Sequence, residues 1–349
     1  MSIQIYYKHG LRFLSKGSKP RKLFVVDPTS VREISTSFFA FITHSHLDHS
    51  IAFPNANVPI YATELACRIY QILSSKKAKN VNFVNFFDPF FPIDDVEVKF
   101  LPAGHLLGAA QILFKFPDLT VLYTGDISID QMITVPQAHI PKEEVDVLII
   151  EATYGTPALF FPPRDEIKIS MLRWIADSLE KKRIPVINIG YSGPAQEIIA
   201  FLNQMFSIDI FVNQKTDALN QVYRKEGINL VWKNYESELS DFTPYNSLVL
   251  LPRNTKYIPE FLKSYKLSRA IVTGQATRFS YSSFNQSFPF SMHANFHELL
   301  SYTNEIKPKK VYTVYGFDVE LAKAIRTKLR IPAIPLKKAG KNLTLQDFF

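Results

Sequence analysis

The sequence predicts an α/β protein built in two parts, and three observations carry that expectation. The first half reads as short apolar strands with turns between them, while residues 164–280 alternate strand and helix. The length of 349 residues suits about two domains, or one domain with a large insertion. At 46% hydrophobic, the chain can bury a substantial core.

The elements follow in order. "KLFVVDP", "FFAFIT", "VPIYAT", "VEVKFLPA", "QILFKF", "VLYTGD" and "DVLIIEATY" are the first-half strands. Several are nearly all apolar, as strands covered on both faces would be. "TELACRIYQILSS" is the clearest helix among them. The character changes after Pro162-Pro163, where "RDEIKISMLRWIADSLEKK" places Ile167, Met171, Ile175 and Leu179 at four-residue steps. That spacing predicts an amphipathic helix. "IPVINIG" follows as a strand, "YSGPAQEIIAFLNQMF" as a helix opened by Gly193-Pro194, and "IDIFVN" as a strand. The alternation predicts an open unit with a parallel sheet. Near residue 285 the pattern changes again, to the helix "HELLSYTNEI", the strand "KKVYTVYGF" and the helix "VELAKAIRTKL".

Composition narrows the function classes. No apolar run approaches the roughly 18 residues of a membrane helix, and the N-terminus lacks a signal-peptide pattern. Cys67 is the only cysteine, so no internal disulfide can form and a cytoplasmic protein is the expectation. Forty Lys+Arg against thirty-two Asp+Glu leave a charge of +8, which favours a polyanionic partner, nucleic acid first.

The stretch "THSHLDHS" puts three of the eight histidines within six positions. His44 and His46 are two apart, so on an extended segment both face one side and can reach one metal. Asp48 and His49 are adjacent, and a turn after Leu47 would aim them at a second ion. A surface histidine loop is the plain alternative, but further ligand types follow in order. His105 sits between glycines in "LPAGHLLGAA", and Asp126 ends the strand "VLYTGD" with two oxygens that can bridge cations. Asp27 closes "FVVDP", placed to hold a histidine ring from behind. Histidine-rich, carboxylate-poor ligation suits zinc better than magnesium.

HxHxDH, a GH loop and TGD together resemble the metallo-β-lactamase-fold hydrolases. "IIEATYG" at 149–155 and "FSMHANFHELLSYTNEIKPKKVYTVYG" at 290–316 resemble the β-CASP branch of that fold, its nucleases. With "PAQEII" downstream, "EATYGTP" is most similar to the DNA ligase-associated exonucleases and related mRNA 3′-end-processing factors. The resemblance spans residues 20–330. It implies an αββα sandwich with an inserted β-CASP α/β cap domain. The metallo-β-lactamase domain would occupy residues 1–160 and 286–335, the cap 161–285 and a tail 336–349. It further implies one zinc on His44, His46, His105 and Asp126, and another on Asp48, His49 and bridging Asp126. Glu151 and His293 match the branch's acidic and histidine motifs. With Asp48 they are the residues expected to act on substrate, His293 as proton donor to the leaving oxygen. A nearby Glu151 would keep that imidazole charged.

Two positions depart from the pattern. Tyr315 stands where the branch commonly closes its second zinc site with a histidine, and a phenol is a poor zinc ligand. One firm zinc and a weaker or partly occupied second one are therefore expected. Asn295 stands where an aspartate commonly follows the histidine motif. His297 is expected as a solvated residue of a helix's first turn.

The leading expectation is a zinc-dependent nuclease acting on DNA, exonucleolytic rather than endonucleolytic, in repair or replication-linked end processing. An RNA-processing nuclease is the first alternative. A degenerate, non-cleaving nucleic-acid-binding protein is the second, suggested by Tyr315 and Asn295. The tail "NLTLQDFF" spaces Leu345, Phe348 and Phe349 to share one helical face. That pattern resembles the peptide that docks on PCNA-type sliding clamps, with Asn342 in place of its glutamine.

Overall fold

The structure, a computed structural model, describes residues 2–16, 23–30, 39–55, 57–93, 95–255 and 257–338. The tail carrying Leu345, Phe348 and Phe349 lies outside the described residues. The chain forms two compact units: residues 1–131, 135–157 and 293–349 make the first, and 132–134 with 158–292 the second.

The first unit opens with β1 (Ser2–Tyr7), β2 (Leu11–Lys16), β3 (Leu23–Val26), β4 (Phe39–Phe41), β5 (Ile60–Ala62), α1 (Glu64–Ser74) and β6 (Val81–Phe83). It continues with β7 (Pro89–Ile93), β8 (Val96–Pro102), β9 (Ala110–Phe116), β10 (Leu119–Tyr123) and β11 (Val147–Glu151). The second unit holds α2 (Arg164–Glu180), β12 (Ile184–Ile189), α3 (Pro194–Met205), β13 (Asp209–Val212), α4 (Gln214–Lys225), β14 (Lys233–Asn234), β15 (Ser247–Pro252), β16 (Leu267–Val272) and β17 (Gln286–Phe288). The chain then returns to the first unit with α5 (Phe296–Ile306), β18 (Lys310–Val314), α6 (Asp318–Ala324) and β19 (Ala333–Pro335).

Among the described residues of the first unit, two sheets form. One runs β1-β2-β3-β4-β5-β6 and the other β19-β18-β11-β10-β9-β8-β7. Alternate residues explain why so many of these strands are continuously apolar. Ile112, Phe114, Val121, Tyr123, Val147 and Ile149 turn towards Ile5, Phe13, Phe24 and Phe41 of the facing sheet. Their neighbours Leu113, Leu122, Leu148 and Ile150 turn the other way, onto Phe296, Leu299 and Leu321 of α5 and α6. On the far side of the first sheet, Val25, Ala40, Ile42 and Ile60 pack with Cys67 and Tyr70 of α1. Helix, sheet, sheet, helix is the layering that buries both faces of both sheets.

The second unit is an open α/β sheet with strand order β14-β13-β15-β12-β16-β17, every pairing parallel. In α2, Ile167, Met171 and Ile175 are buried, but the stripe passes to Ser178 instead of Leu179. A 3.6-residue turn drifts from a strict four-residue step in this way. Gly193 and Pro194 do start a helix: Gln196 Oε1 accepts the Gly193 N–H at 2.8 Å. Glu197 in that first turn is fully buried and pairs with Lys168 Nζ at 2.7 Å. It also accepts the N–H groups of Ile133 and Thr134 at 3.1 and 3.0 Å. Within this turn the Gly193 N–H and the Glu197 carboxylate are met from inside the unit, while the buried Ser192 Oγ has no hydrogen-bond partner among the described residues.

Candidate metal centre

Apart from His293, which precedes α5, every motif residue of the first unit follows, or ends, the carboxyl end of a strand. Asp27 follows β3, the segment His44–His49 follows β4, His105 follows β8, Asp126 follows β10, Glu151 ends β11 and Tyr315 follows β18. Two glycines make the approach possible. Gly104 has φ 75°, and a Cβ there would lie 2.2 Å from Ser128 O. Gly125 has φ 55°, and its Cβ would press on the Thr43 side chain at 3.0 Å. A side chain at position 104 would clash with backbone, and one at position 125 would be strained and would have to displace Thr43.

His44, His46, His105 and Asp126 converge so that one ligand atom from each lies within 4.8 Å of all the others. The rings of His44, His46 and His105 are 4.9–5.0 Å apart and nearly perpendicular. Asp126 Oδ2 faces His44 Nε2 at 3.4 Å, and His105 Nε2 and His49 Nε2 at 3.7 Å each. Asp126, Glu151 and His293 form an adjoining set within the same limit. The turn expected after Leu47 is present, with the N–H of His49 and of Ser50 bonded to His46 O at 3.0 and 3.1 Å. It brings His49 to Asp126. Asp48 belongs to neither converging set; its side chain is 82% exposed and reaches His49 Nε2 at 3.9 Å.

The supports behind these residues are buried. Asp27 accepts Thr43 N–H at 2.8 Å and Thr43 Oγ1–H at 2.7 Å, and lies 3.0 Å from His49 Nδ1. This fixes the ring so that Nε2 points towards Asp126. Thr43 Oγ1 lies 2.9 Å from His44 Nδ1. His44 Nε2, fully buried, has no hydrogen-bond partner. A buried nitrogen left bare, with its ring held from the other side, fits a metal ligand. Three imidazoles and one carboxylate are a zinc-type donor set.

Charge follows the geometry. Burial, with the neighbouring imidazoles, holds His44 well below the usual histidine pKa, so it is neutral as a ligand must be. Burial pushes the Asp126 carboxyl up to about 6, against the attraction of His49 and with the help of Glu151. Burial works against charge on His49 too, but Asp126 and Asp27 outweigh it and raise its pKa to about 10.

Glu151, fully buried, accepts the Ile127 N–H at 2.7 Å and stands 3.1 Å from His293 Nδ1. Burial disfavours the imidazolium, yet Glu151 and Asp126 together raise its pKa to about 9. Asn295 is the N-cap of α5: its side chain accepts the N–H of His297 and of Glu298, and Glu298 answers to the Asn295 N–H. It fixes the helix that begins just after His293. His297 is exposed in the first turn.

The Tyr315 hydroxyl is engaged by another phenol. It bonds Tyr123 OH at 3.0 Å, while Tyr123 reaches Asp27 Oδ2 at 3.2 Å. Its ring meets that of His49 edge-on at 5.6 Å. Sequence reasoning missed Tyr123 and Thr43 as supports of the site. The available signals were a lone phenol in the aliphatic strand "VLYTGD" and a hydroxyl directly before His44.

Fold and site define the class: a metallo-β-lactamase-type αββα sandwich carrying a histidine–aspartate centre. No protein-family model matches the chain. It is 25% identical over 295 residues to a probable DNA ligase of Opitutus terrae, covering 83% of this chain and 28% of that one. It is 31% identical over 178 residues to an RNase J-like protein of Methanocaldococcus jannaschii, covering 46% and 42%. It is 26% identical over 297 residues to the DNA cross-link repair protein SNM1 of Arabidopsis thaliana, covering 78% and 59%. The matches thus span 28–59% of these relatives' lengths. A solved protein of unknown function from Enterococcus faecalis shares the fold, with TM-score 0.68 and 13% identity over 98% of this chain and 99% of that one. In its motifs and in these matches, the chain is similar to the β-CASP branch of the metallo-β-lactamase-fold nucleases.

Proposed function

We propose that the protein is a zinc-dependent nuclease that hydrolyses phosphodiester bonds, with DNA as the favoured substrate and exonucleolytic action. The observation that carries this is the sharing of Asp126 between the ligand set His44, His46, His105 and the pair Glu151, His293. Zinc held by the first set would supply Lewis-acid polarisation of the phosphate and lower the pKa of a water. Asp48 and His49, beside Asp126, would hold a second, weaker ion. With Tyr315 bonded into the tyrosine–Asp27 network, that site is one ligand short.

The chain's own groups complete the reaction. Asp27 orients His49, and Thr43 orients His44. Glu151 keeps His293 protonated at neutral pH, and His293 gives that proton to the departing sugar oxygen. A non-cleaving protein has no need of this acid. The second unit is read as the β-CASP cap.

DNA is favoured because, of the three relatives described above, the two matched over 83% and 78% of this chain are a probable DNA ligase and a DNA cross-link repair protein. The RNase J-like match supports RNA as the second reading. A sliding-clamp partner for Leu345, Phe348 and Phe349 rests on the tail's sequence alone. A Phe348→Ala/Phe349→Ala protein should lose binding to a PCNA-type clamp that the unaltered chain binds. Substrate is tested with labelled single-stranded DNA, duplex DNA and RNA, each with and without chelator. Chelator-sensitive cleavage of DNA in preference to RNA is expected. Preference for RNA would transfer the assignment to RNA processing.

A further inference from the structure

The second unit contains a cavity of about 770 Å³, distinct in its residues from the centre described above. Small-ligand pockets commonly measure about 300–1,000 Å³. One side is the strand β16, from which Arg269 and Ile271 line the cavity, with Thr273 just beyond its end. Residues two apart on a strand share a face. The connection from β16 to β17 adds Phe279, Tyr281 and Phe284, and the residue after β15 adds Arg253. Arg253 and Thr273 thus follow the carboxyl ends of parallel strands, where open α/β sheets take their ligands.

The chemistry of the lining is selective. None of the described residues lining the cavity is acidic. The Arg269 guanidinium lies over the Phe284 ring, 4.8 Å from its centre, and its Nε is buried with no hydrogen-bond partner. A buried donor without an acceptor costs free energy until an anion or polar group supplies one. Arg253 is exposed and makes no side-chain hydrogen bond or ion pair among the described residues. Phe279 is 51% exposed, with the Arg278 guanidinium 5.1 Å from its ring centre. Exposed aromatic rings interleaved with guanidinium groups are how proteins hold unpaired bases and the phosphates joining them.

We propose that this cavity binds a nucleotide unit of single-stranded nucleic acid, its phosphodiester on Arg253 and Arg269 and its base stacked on Phe279. The choice of a strand over a free nucleotide rests on the nuclease reading; the phosphate-and-base chemistry stands on the lining alone. The site would hold substrate through the second unit independently of the metal ligands.

The test uses the full chain as Asp126→Ala, which cannot cleave, and reads fluorescence anisotropy of labelled single-stranded DNA, single-stranded RNA and duplex DNA. Adding Phe279→Ala should weaken single-strand binding roughly tenfold or more, the loss expected of one stacked base. Adding Arg253→Ala should weaken it too, and reduce the slope of log affinity against log salt by about 0.7, one phosphate contact. Arg269→Lys, which keeps the charge and the fold, should weaken binding by removing the planar fork. Unchanged affinity and slope in all three would overturn the proposal. Adenosine monophosphate binding the parent protein, with no binding of strands, would overturn the strand assignment. Cleavage by the metal-loaded native chain is scored separately. Strand binding that depends on Arg253 and Phe279, in a protein that never cleaves, would sink the nuclease reading and leave this site in place.

Discussion

Asp126 is the residue on which the other groups of the centre depend. One of its oxygens faces His44, His49 and His105, and the same carboxylate adjoins Glu151 and His293. Its pKa, lifted to about 6 in the metal-free protein, means that a proton competes with metal there. Metal affinity should therefore fall as pH drops through 6, a trend that titration with a metal indicator would read. His293 has the opposite task. Its pKa rises from 6.5 to about 9, so its protonated form stabilises the metal-free fold. That contribution is complete below 6.5 and is lost as pH rises through 9. If His293 is the acid, kcat should decline over the same alkaline range. His293→Ala should lower kcat by roughly a hundredfold or more with metal content intact, and should lose that limb. Loss of metal from this variant would mean that His293 is a ligand. Tyr315→His should tighten the second ion, since an imidazole would replace a phenol bonded elsewhere; equal metal titrations of the two proteins would place Tyr315 away from that site.

At the scale of elements, the site depends on where strands end. "FVVDP", "FFAFIT", "VEVKFLPA", "VLYTGD" and "DVLIIEATY" were legible as strands because both of their faces are apolar, and each delivers a motif residue at its carboxyl end. The hairpin β1–β2 was not read from the sequence, although Ile3, Ile5, Leu11 and Phe13 alternate inward around the turn at His9 and Gly10. Gln4 and Arg12 at alternate positions interrupt the continuous apolar run that marked the other strands. The short strands β6 and β7 were missed because little of either is buried. The hydrogen-bonded chain Tyr315–Tyr123–Asp27 was illegible for a different reason: its members lie far apart in sequence and carry no shared motif. Asn295 looked like a defect beside His293 and proves to be a helix cap. Asn295→Ala should cost about 1 kcal/mol of stability, read by thermal or denaturant unfolding. If cleavage falls with it while metal content holds, the cap also positions His293.

Across the whole molecule, two sequence patterns predicted two kinds of sheet, and the structure contains both. Continuous apolar strands gave the layered sandwich, and strand–helix alternation gave the parallel sheet of the second unit. That unit carries a buried charge pair that a helix-periodicity argument does not foresee. Lys168 and Glu197 are both almost fully buried, and Glu197 also satisfies two backbone donors. Glu197→Ala should destabilise the protein by about 3–5 kcal/mol, because it strands a buried ammonium and two N–H groups. No described helix is long and apolar enough to cross a membrane. A net charge of +8 agrees with a polyanionic substrate and makes binding sensitive to salt.

The most direct measurement pairs bound zinc, by elemental analysis, with cleavage of labelled DNA in the native protein and in Asp126→Ala. The native protein should hold zinc and cleave, chelation should stop cleavage and zinc restore it, and Asp126→Ala should do neither while remaining folded. Cleavage that survives in a folded, zinc-free Asp126→Ala protein would contradict this.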